Sequence, residues 1–246
     1  MRTLKPKDYD DLYKTLTEIS IPVYKKSANY MKYEIKRFGR QAFRITRDGQ
    51  TAFTAGLNIS RSHGCWPGKK TFEPDTLKLQ ETLAKIIPKY YPDYYYTSVQ
   101  VNKNYPGDLH VDKWNVGNSL MVTVGDSGLS GGDLWCNGEI IKTNGNIIQF
   151  DGNNPHMTLD YSGGDRYSLV LFTTKVWHSA LRKNPHIFPK LQAIGIPADP
   201  LHLNLYEPIQ QTREERLNEA TKTIIKQIKN KELPKSILTK IQKRKA

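Results

Sequence analysis

Side-chain type and spacing first suggest chemistry at Leu109-His110-Val111-Asp112. In an extended segment residues i and i+2 face the same way, so a strand here presents the His110 imidazole and the Asp112 carboxylate to one point. A third donor stands in Asn154-Pro155-His156. Phe150 leads out of a strand, Asp151-Gly152-Asn153 turns, and Pro155 restricts the backbone just ahead of His156. Two histidines and one carboxylate on one face can hold Fe(II) and leave three positions open for other ligands. A His-x-Asp triplet by itself is short enough to arise by chance, and an edge strand with two polar residues is its plain alternative.

The combination with Arg166-Tyr167-Ser168 is less accidental, because these residues open the apolar run Leu169-Val170-Leu171-Phe172. An arginine heading a buried strand is costly unless a carboxylate pairs with it. The distal carboxylate of 2-oxoglutarate meets that need, gripped bidentately by the guanidinium. Ser168 lies two residues on, on the same strand face, and can add a hydroxyl. The alternative is a structural salt bridge from Arg166 to Asp165 or Asp160.

The elements that must position these groups follow from periodicity. Residues 7–20 and Leu77 to Ile87 carry apolar residues at helical spacing; Pro22 ends the first helix, and Pro88 falls just past the second. Ala42 to Ile45 and Thr51 to Thr54 read as strands joined at Asp48-Gly49. From residue 96 onward short strands dominate: Tyr96 to Asn102, Ser119 to Gly125, Asp133 to Cys136, Glu139 to Lys142, Asn146 to Phe150 and Arg166 to Thr174. Asn137-Gly138 marks a type I′ hairpin. Such a run of strands and turns predicts a sandwich or jelly roll. Prolines at 185, 189, 197, 200 and 208 predict an extended wrapping segment, residues 212–231 a helix, and Lys235 to Ala246 a basic helix or tail.

Composition bounds the rest. The chain has 246 residues, enough for one large domain without disulfides or a structural metal. Its two cysteines, Cys65 and Cys136, lack CxxC spacing, which argues against a zinc finger and favours a reducing compartment. No stretch approaches the roughly 18 apolar residues that span a bilayer, so a soluble intracellular protein without membrane attachment is expected. The formal net charge is +13, and it sits at the ends. Residues 1–50 hold 12 Lys/Arg against 6 Asp/Glu, residues 211–246 hold 11 against 4, and the middle is neutral. Basic ends around a neutral body suggest a nucleic-acid partner, or merely a solvated surface.

Residues 97–174 resemble the 2-oxoglutarate/Fe(II) dioxygenase superfamily. Its His-x-Asp motif matches His110 and Asp112, its distal histidine His156, its arginine Arg166, and its RxS element Arg166-Tyr167-Ser168. Within that superfamily, Ser98 to Asn104, His110 to Asn115 running into Gly117-Asn118-Ser119, Gly125-Asp126, Gly131-Gly132-Asp133-Leu134 and Phe150 to His156 look most like the Tet and J-binding-protein group. The AlkB-like branch is a rival through Asn102-Lys103-Asn104-Tyr105, but Phe172 stands where it usually carries a second arginine. Protein hydroxylases share the metal and arginine pattern.

The resemblance implies a mainly β, α+β fold with a double-stranded β-helix core at about residues 96–176. It sits within a single oxygenase domain of residues 1–210, followed by a basic helical extension at 211–246. It implies Fe(II) on His110, Asp112 and His156, and 2-oxoglutarate on Arg166 and Ser168. O2 is the oxidant, with ascorbate as reductant. The expected reaction hydroxylates a C–H bond, with the methyl group of 5-methylcytosine or thymine foremost and DNA favoured over RNA. A protein or small-molecule hydroxylase is the alternative, and a non-catalytic binding module a third. Asn102, Asn115 and Trp114 are candidates for contacting substrate, although a turn role for Asn115 is equally open. Trp114 and Trp135 can line a pocket or fill the core. The tyrosines of residues 90–96 can stack on bases but suit packing under the sheet, and His63 beside Arg61 can meet a phosphate. His178, His186 and His202 lack ligand spacing.

Overall fold

The computed structural model describes residues 1–22, 51–60, 64–205 and 211–242. The strand at 42–45, its turn at 48–49, and Arg61 and His63 lie outside the described residues, as do 243–246. In chain order the elements are β1 (Arg2–Thr3), α1 (Pro6–Glu18), β2 (Thr51–Ser60), β3 (Gly64–Pro67), α2 (Pro74–Tyr90), β4 (Ser98–Lys103) and β5 (Asn115–Gly125). Then come β6 (Ser130–Gly131), β7 (Leu134–Cys136), β8 (Glu139–Ile141), β9 (Asn146–Phe150), β10 (His156–Thr158), β11 (Tyr161–Ser162) and β12 (Arg166–Thr174). The chain continues through α3 (Trp177–Lys183), α4 (Ile187–Ala193), α5 (Arg213–Lys229) and α6 (Leu238–Gln242). This is a mixed fold of helices around a large antiparallel sheet ordered β1-β9-β5-β12-β4-β2-β3, a small sheet β10-β7-β8, and the pair β11-β6.

Alternation along β12 gives the large sheet two different faces. Tyr167, Leu169 and Leu171 enter the main core, together with Leu120, Val122 and Val124 of β5 and Val99 and Val101 of β4. That core is closed by α1 and α2, whose apolar residues Leu12, Leu16, Leu79, Leu83, Ile86 and Ile87 recur at helical spacing. Buried Asp8 ties the two helices together by accepting from Lys89 at 2.5 Å and Tyr90 Oη at 2.8 Å. On the other face of β12 stand Arg166, Ser168 and Val170, paired with Gly125, Thr123 and Met121 of β5.

The small sheet has its own two sides. Trp135 and Met157 pack into a second core with Leu109, Val111 and the α5 residues Leu217, Ala220 and Ile224. Trp135 Nε1 donates to Gln227 Oε1 at 2.8 Å, and Gln227 Nε2 donates to Gly138 O at 2.7 Å, so Trp135 is a core residue locked to α5. Leu134 and Cys136 point the opposite way, into a third cluster with Met121, Ile148 and Phe150. The small sheet is therefore sandwiched between the C-terminal helices and the inner face of the large sheet.

Several sequence expectations are adjusted. The hairpin at Asn137-Gly138 is present, with φ of 48° and 101° at its two positions, as a type I′ turn requires. The second helix runs past its expected end at Ile87, because Pro88 occupies its last turn and costs only one terminal hydrogen bond. The proline-rich segment is not simply extended: α4 falls within it, with Pro189 in the first turn, where a missing N–H is tolerated. The helix expected at 212–231 is α5, entered through a capping box between Thr212 and Glu215. The tyrosines serve packing, with Tyr96 buried and Tyr94 Oη donating to Leu171 O at 2.8 Å. Among the described residues, no helix is long and apolar enough to cross a membrane.

The second core makes α5 part of the body that carries the small sheet. Ile224→Ala is expected to lower unfolding free energy by about 2–5 kcal/mol in urea titrations. Ile225→Ala, next in sequence but 39% exposed, is expected to stay within about 0.5 kcal/mol.

Candidate active site

The two histidines are brought together by the backbone itself. His110 and His156 form an isolated antiparallel bridge, with His110 N–H donating to His156 O at 3.0 Å and His156 N–H to His110 O at 2.9 Å. Residues directly opposite in such a pair project from the same face. Leu109 and Val111 go to the second core, so His110 and Asp112 turn away from it, as an i, i+2 spacing demands. The expected strand around His110 is thus reduced to a single bridging residue, yet the alternation survives. The Asp112 N–H donates to Gly152 O at 2.7 Å, fastening the carboxylate to the turn that precedes His156.

Ring orientation is set one step further out. The Nδ1 of His110 lies 2.6 Å from Asp108 O, and the Nδ1 of His156 lies 2.8 Å from Asn154 O. A carbonyl only accepts, so each Nδ1 carries the proton and each Nε2 keeps its lone pair for a metal. The two Nε2 atoms lie 3.7 Å and 3.8 Å from the two Asp112 carboxylate oxygens. All three donor groups fall within 4.8 Å of one another, and they form the only such group found among the described residues. Asn115 Nδ2 donates to Asp112 Oδ2 at 2.9 Å, so its amide orients the carboxylate. The Phe150 ring meets His156 edge-on, centroids 5.2 Å apart, and walls the site on the side of the third cluster.

Arg166 is 1% exposed, the most buried charge on the inner face. Neither alternative salt bridge forms: Asp165 pairs with Lys103 at 2.5 Å, and Asp160 pairs with Lys240 at 3.1 Å. The guanidinium donates to Gly132 O at 3.0 Å and Thr123 Oγ1 at 3.4 Å, while its buried Nε has no partner. Burial pushes its pKa down to about 10, which leaves it charged at neutral pH. Among the described residues no carboxylate forms an ion pair with this guanidinium, although the Asp133 charge lies near enough to favour its protonated form; a carboxylate ligand would satisfy it. Ser168, two residues along the same strand, is paired across to Asn102 of β4, whose Nδ2 lies 3.4 Å from Ser168 Oγ. The donor set fits ferrous iron, and the arginine fits a diacid co-substrate.

Two glycines that the sequence marks only as turn residues are part of this arrangement. A Cβ on Gly152 would sit 2.8 Å from Asp112 Oδ2, and one on Gly132 would sit 2.6 Å from Arg166 Nε. Their composition announces turns, whereas the close approach depends on chain segments distant in sequence. Arg216 was also not foreseen: its guanidinium donates to Asn153 O, beside the His156 turn. Trp114 is 41% exposed at the rim rather than packed in a wall. His202 stacks on Tyr95 and pairs with Asp199, in keeping with a structural role. Burial pushes both thiols up to about 11, and neither belongs to the site.

No family model and no curated protein matches the chain. Solved structures do. A prolyl hydroxylase from Trichoplax adhaerens, in complex with a hypoxia inducible factor peptide fragment, overlays at a TM-score of 0.43 and 15% identity, covering 74% of this chain and 84% of that one. NgTET1 in complex with 5mC DNA overlays at 0.41 and 14%, covering 68% and 88%. A 2OG-Fe(II) oxygenase family oxidoreductase from Burkholderia pseudomallei gives 0.38 and 13%, covering 70% and 92%. At TM-scores under 0.5 these likenesses do not decide the chemistry.

Gly152→Ala is expected to weaken Co(II) binding, followed by visible absorption, by about 10–100-fold through displacement of Asp112. The secondary structure read by circular dichroism is expected to stay intact.

Proposed function

We propose that the chain is an Fe(II)- and 2-oxoglutarate-dependent dioxygenase that hydroxylates a C–H bond, releasing succinate and CO2. The observation that carries this reading is Arg166, buried and without a carboxylate ion-pair partner among the described residues, on the same interior as the convergent triad. His110, Asp112 and His156 are the metal ligands, and Arg166 with Ser168 holds the distal carboxylate of the co-substrate. The two facing sheets are then the layers of a double-stranded β-helix, within an oxygenase domain of residues 1–210 extended by the helices of 211–246.

When bound, iron and 2-oxoglutarate supply the oxidising power, with O2 consumed and ascorbate serving as reductant. The chain's own residues provide placement. The Asp108 and Asn154 carbonyls hold both imidazoles in the tautomer that binds metal. Asn115 steadies Asp112, and Phe150 keeps water from one side of His156. His110, the more exposed histidine, marks the side from which substrate approaches.

Two substrate classes fit the site: the methyl group of a nucleic-acid base and a C–H bond of a protein side chain, as in a prolyl hydroxylase. The likenesses do not choose between them, since the prolyl hydroxylase overlay stands level with that of NgTET1. Asn102 and Trp114 are the residues we assign to substrate contact in either case, with Asn115 beside them.

Purified protein with Fe(II), ascorbate and 2-oxoglutarate is expected to form succinate. Asp112→Ala should abolish this, and Arg166→Gln should raise the 2-oxoglutarate KM at least 10-fold, the loss of a charge-assisted bidentate contact. Mass spectrometry of DNA, RNA and peptide pools then assigns the substrate. Turnover that survives Asp112→Ala would remove the proposal.

A further inference from the structure

Alternation along β4 places two amides on the inner face of the large sheet. Val99 and Val101 enter the main core, so Gln100 and Asn102 face the other way, on the side of Arg166 and Ser168. Register then supplies their partners: Gln100 stands opposite Thr54 of β2, and Asn102 opposite Ser168 of β12. The four side chains are hydrogen-bonded in one line across three strands. Thr54 Oγ1 lies 2.6 Å from Gln100 Oε1, Gln100 Nε2 lies 3.2 Å from Asn102 Oδ1, and Asn102 Nδ2 lies 3.4 Å from Ser168 Oγ. Asn102 and Ser168 are buried, whereas Thr54 and Gln100 at the outer end are half-buried.

The sense of this ladder is fixed from its buried end. Asn102 Nδ2 also lies 3.3 Å from the Ser168 backbone carbonyl, which only accepts, so the atom turned toward β12 must be the amide nitrogen. Asn102 Oδ1 then faces Gln100 and accepts from its Nε2. Gln100 Oε1 in turn faces Thr54, whose hydroxyl donates. Each bond points toward Ser168, and Ser168 Oγ receives the last one. A serine hydroxyl has one proton and two lone pairs; with Asn102 on a lone pair, the proton is left for another acceptor. We propose that Gln100 and Thr54, acting through Asn102, are positioning residues that hold the Ser168 hydroxyl as a hydrogen-bond donor to the distal carboxylate of the co-substrate. This rests on the co-substrate seat proposed above. A hydroxyl oriented before binding loses less rotational freedom when the carboxylate arrives. One lone pair of Asn102 Oδ1 stays available for the substrate contact assigned to that residue.

The test is isothermal titration calorimetry of 2-oxoglutarate into the Co(II)-loaded full chain, arranged as a double-mutant cycle. Ser168→Ala is expected to weaken binding about 10-fold, the loss of a hydrogen bond to a charged group. Gln100→Leu is expected to weaken it about 3–10-fold and Thr54→Val about 2–3-fold, the effect fading with distance from the hydroxyl. Gln100→Leu combined with Ser168→Ala is expected to bind within about 2-fold of Ser168→Ala alone, because a residue that acts only through Ser168 then has nothing to position. In turnover, Gln100→Leu should raise the 2-oxoglutarate KM by the factor seen in binding and leave kcat within about 2-fold. Co(II) affinity, followed by visible absorption, should equal that of the wild type in each variant, which separates positioning from damage to the fold.

Losses that simply add in the double variant would overturn the proposal. So would unchanged affinity in Gln100→Leu, or a parallel fall in its Co(II) affinity. Any of these results alongside wild-type binding of 2-oxoglutarate sinks the ladder and leaves the oxygenase reading standing. No wild-type binding with Co(II) seated sinks the oxygenase reading itself, and the ladder with it.

Discussion

Two backbone hydrogen bonds between His110 and His156 hold the candidate centre together. A reciprocal pair of this kind fixes both Cα positions and both side-chain directions, so the imidazoles meet without any contribution from their own contacts. The remaining features of the centre depend on that bridge. The Asp112 amide reaches Gly152 O one pairing step away, and the Asp108 and Asn154 carbonyls turn each ring so that Nε2 faces inward. The apolar neighbours Leu109, Val111 and Met157 anchor the same segments from behind, in the core that α5 closes. Candidate metal ligands and hydrophobic core are therefore alternate residues of the same short chain segments.

The inner face of the large sheet works by a similar division. β12 sends Tyr167, Leu169 and Leu171 toward the helices, and Arg166 and Ser168 toward the interior. Burying Arg166 is tolerable because two oxygens take part of its hydrogen-bonding capacity and Gly132 makes room for it. The remaining demand, a carboxylate for a buried guanidinium, is chemical rather than structural. Asp160 and Asp165, the acids nearest in sequence, are held by Lys240 and Lys103. Fold stability and the candidate co-substrate contacts thus draw on opposite faces of one strand.

Much of the site was legible because it depends on local rules. The i, i+2 spacing of His110 and Asp112, the turn before His156 and the arginine opening an apolar strand each follow from short-range geometry. The Asn137-Gly138 hairpin was legible for the same reason, since positive φ at two successive positions selects these residues. The strand β10 was missed: three residues are too short for a periodic signal, and its pairing with β7 comes from a partner about twenty residues away. Pro88 misled because proline is costly within a helix but cheap in its final turn. The basic C-terminal segment showed its charge but not its place, because nothing local tells that Leu217 and Ile224 share a core with Trp135.

The sequence by itself determined the donor types, their alternation, the buried arginine and the excess charge at the two ends, all properties of neighbouring residues. Tertiary structure alone decided that His110 faces His156, that Asn115 holds Asp112, that Arg166 forms no ion pair with an acid among the described residues, and that Arg213 and Arg216 come to a cleft beside Asp112. The physical reason is that contacts between distant segments depend on how sheets and helices stack. That stacking follows the total apolar area buried, and no local pattern encodes which surfaces will meet.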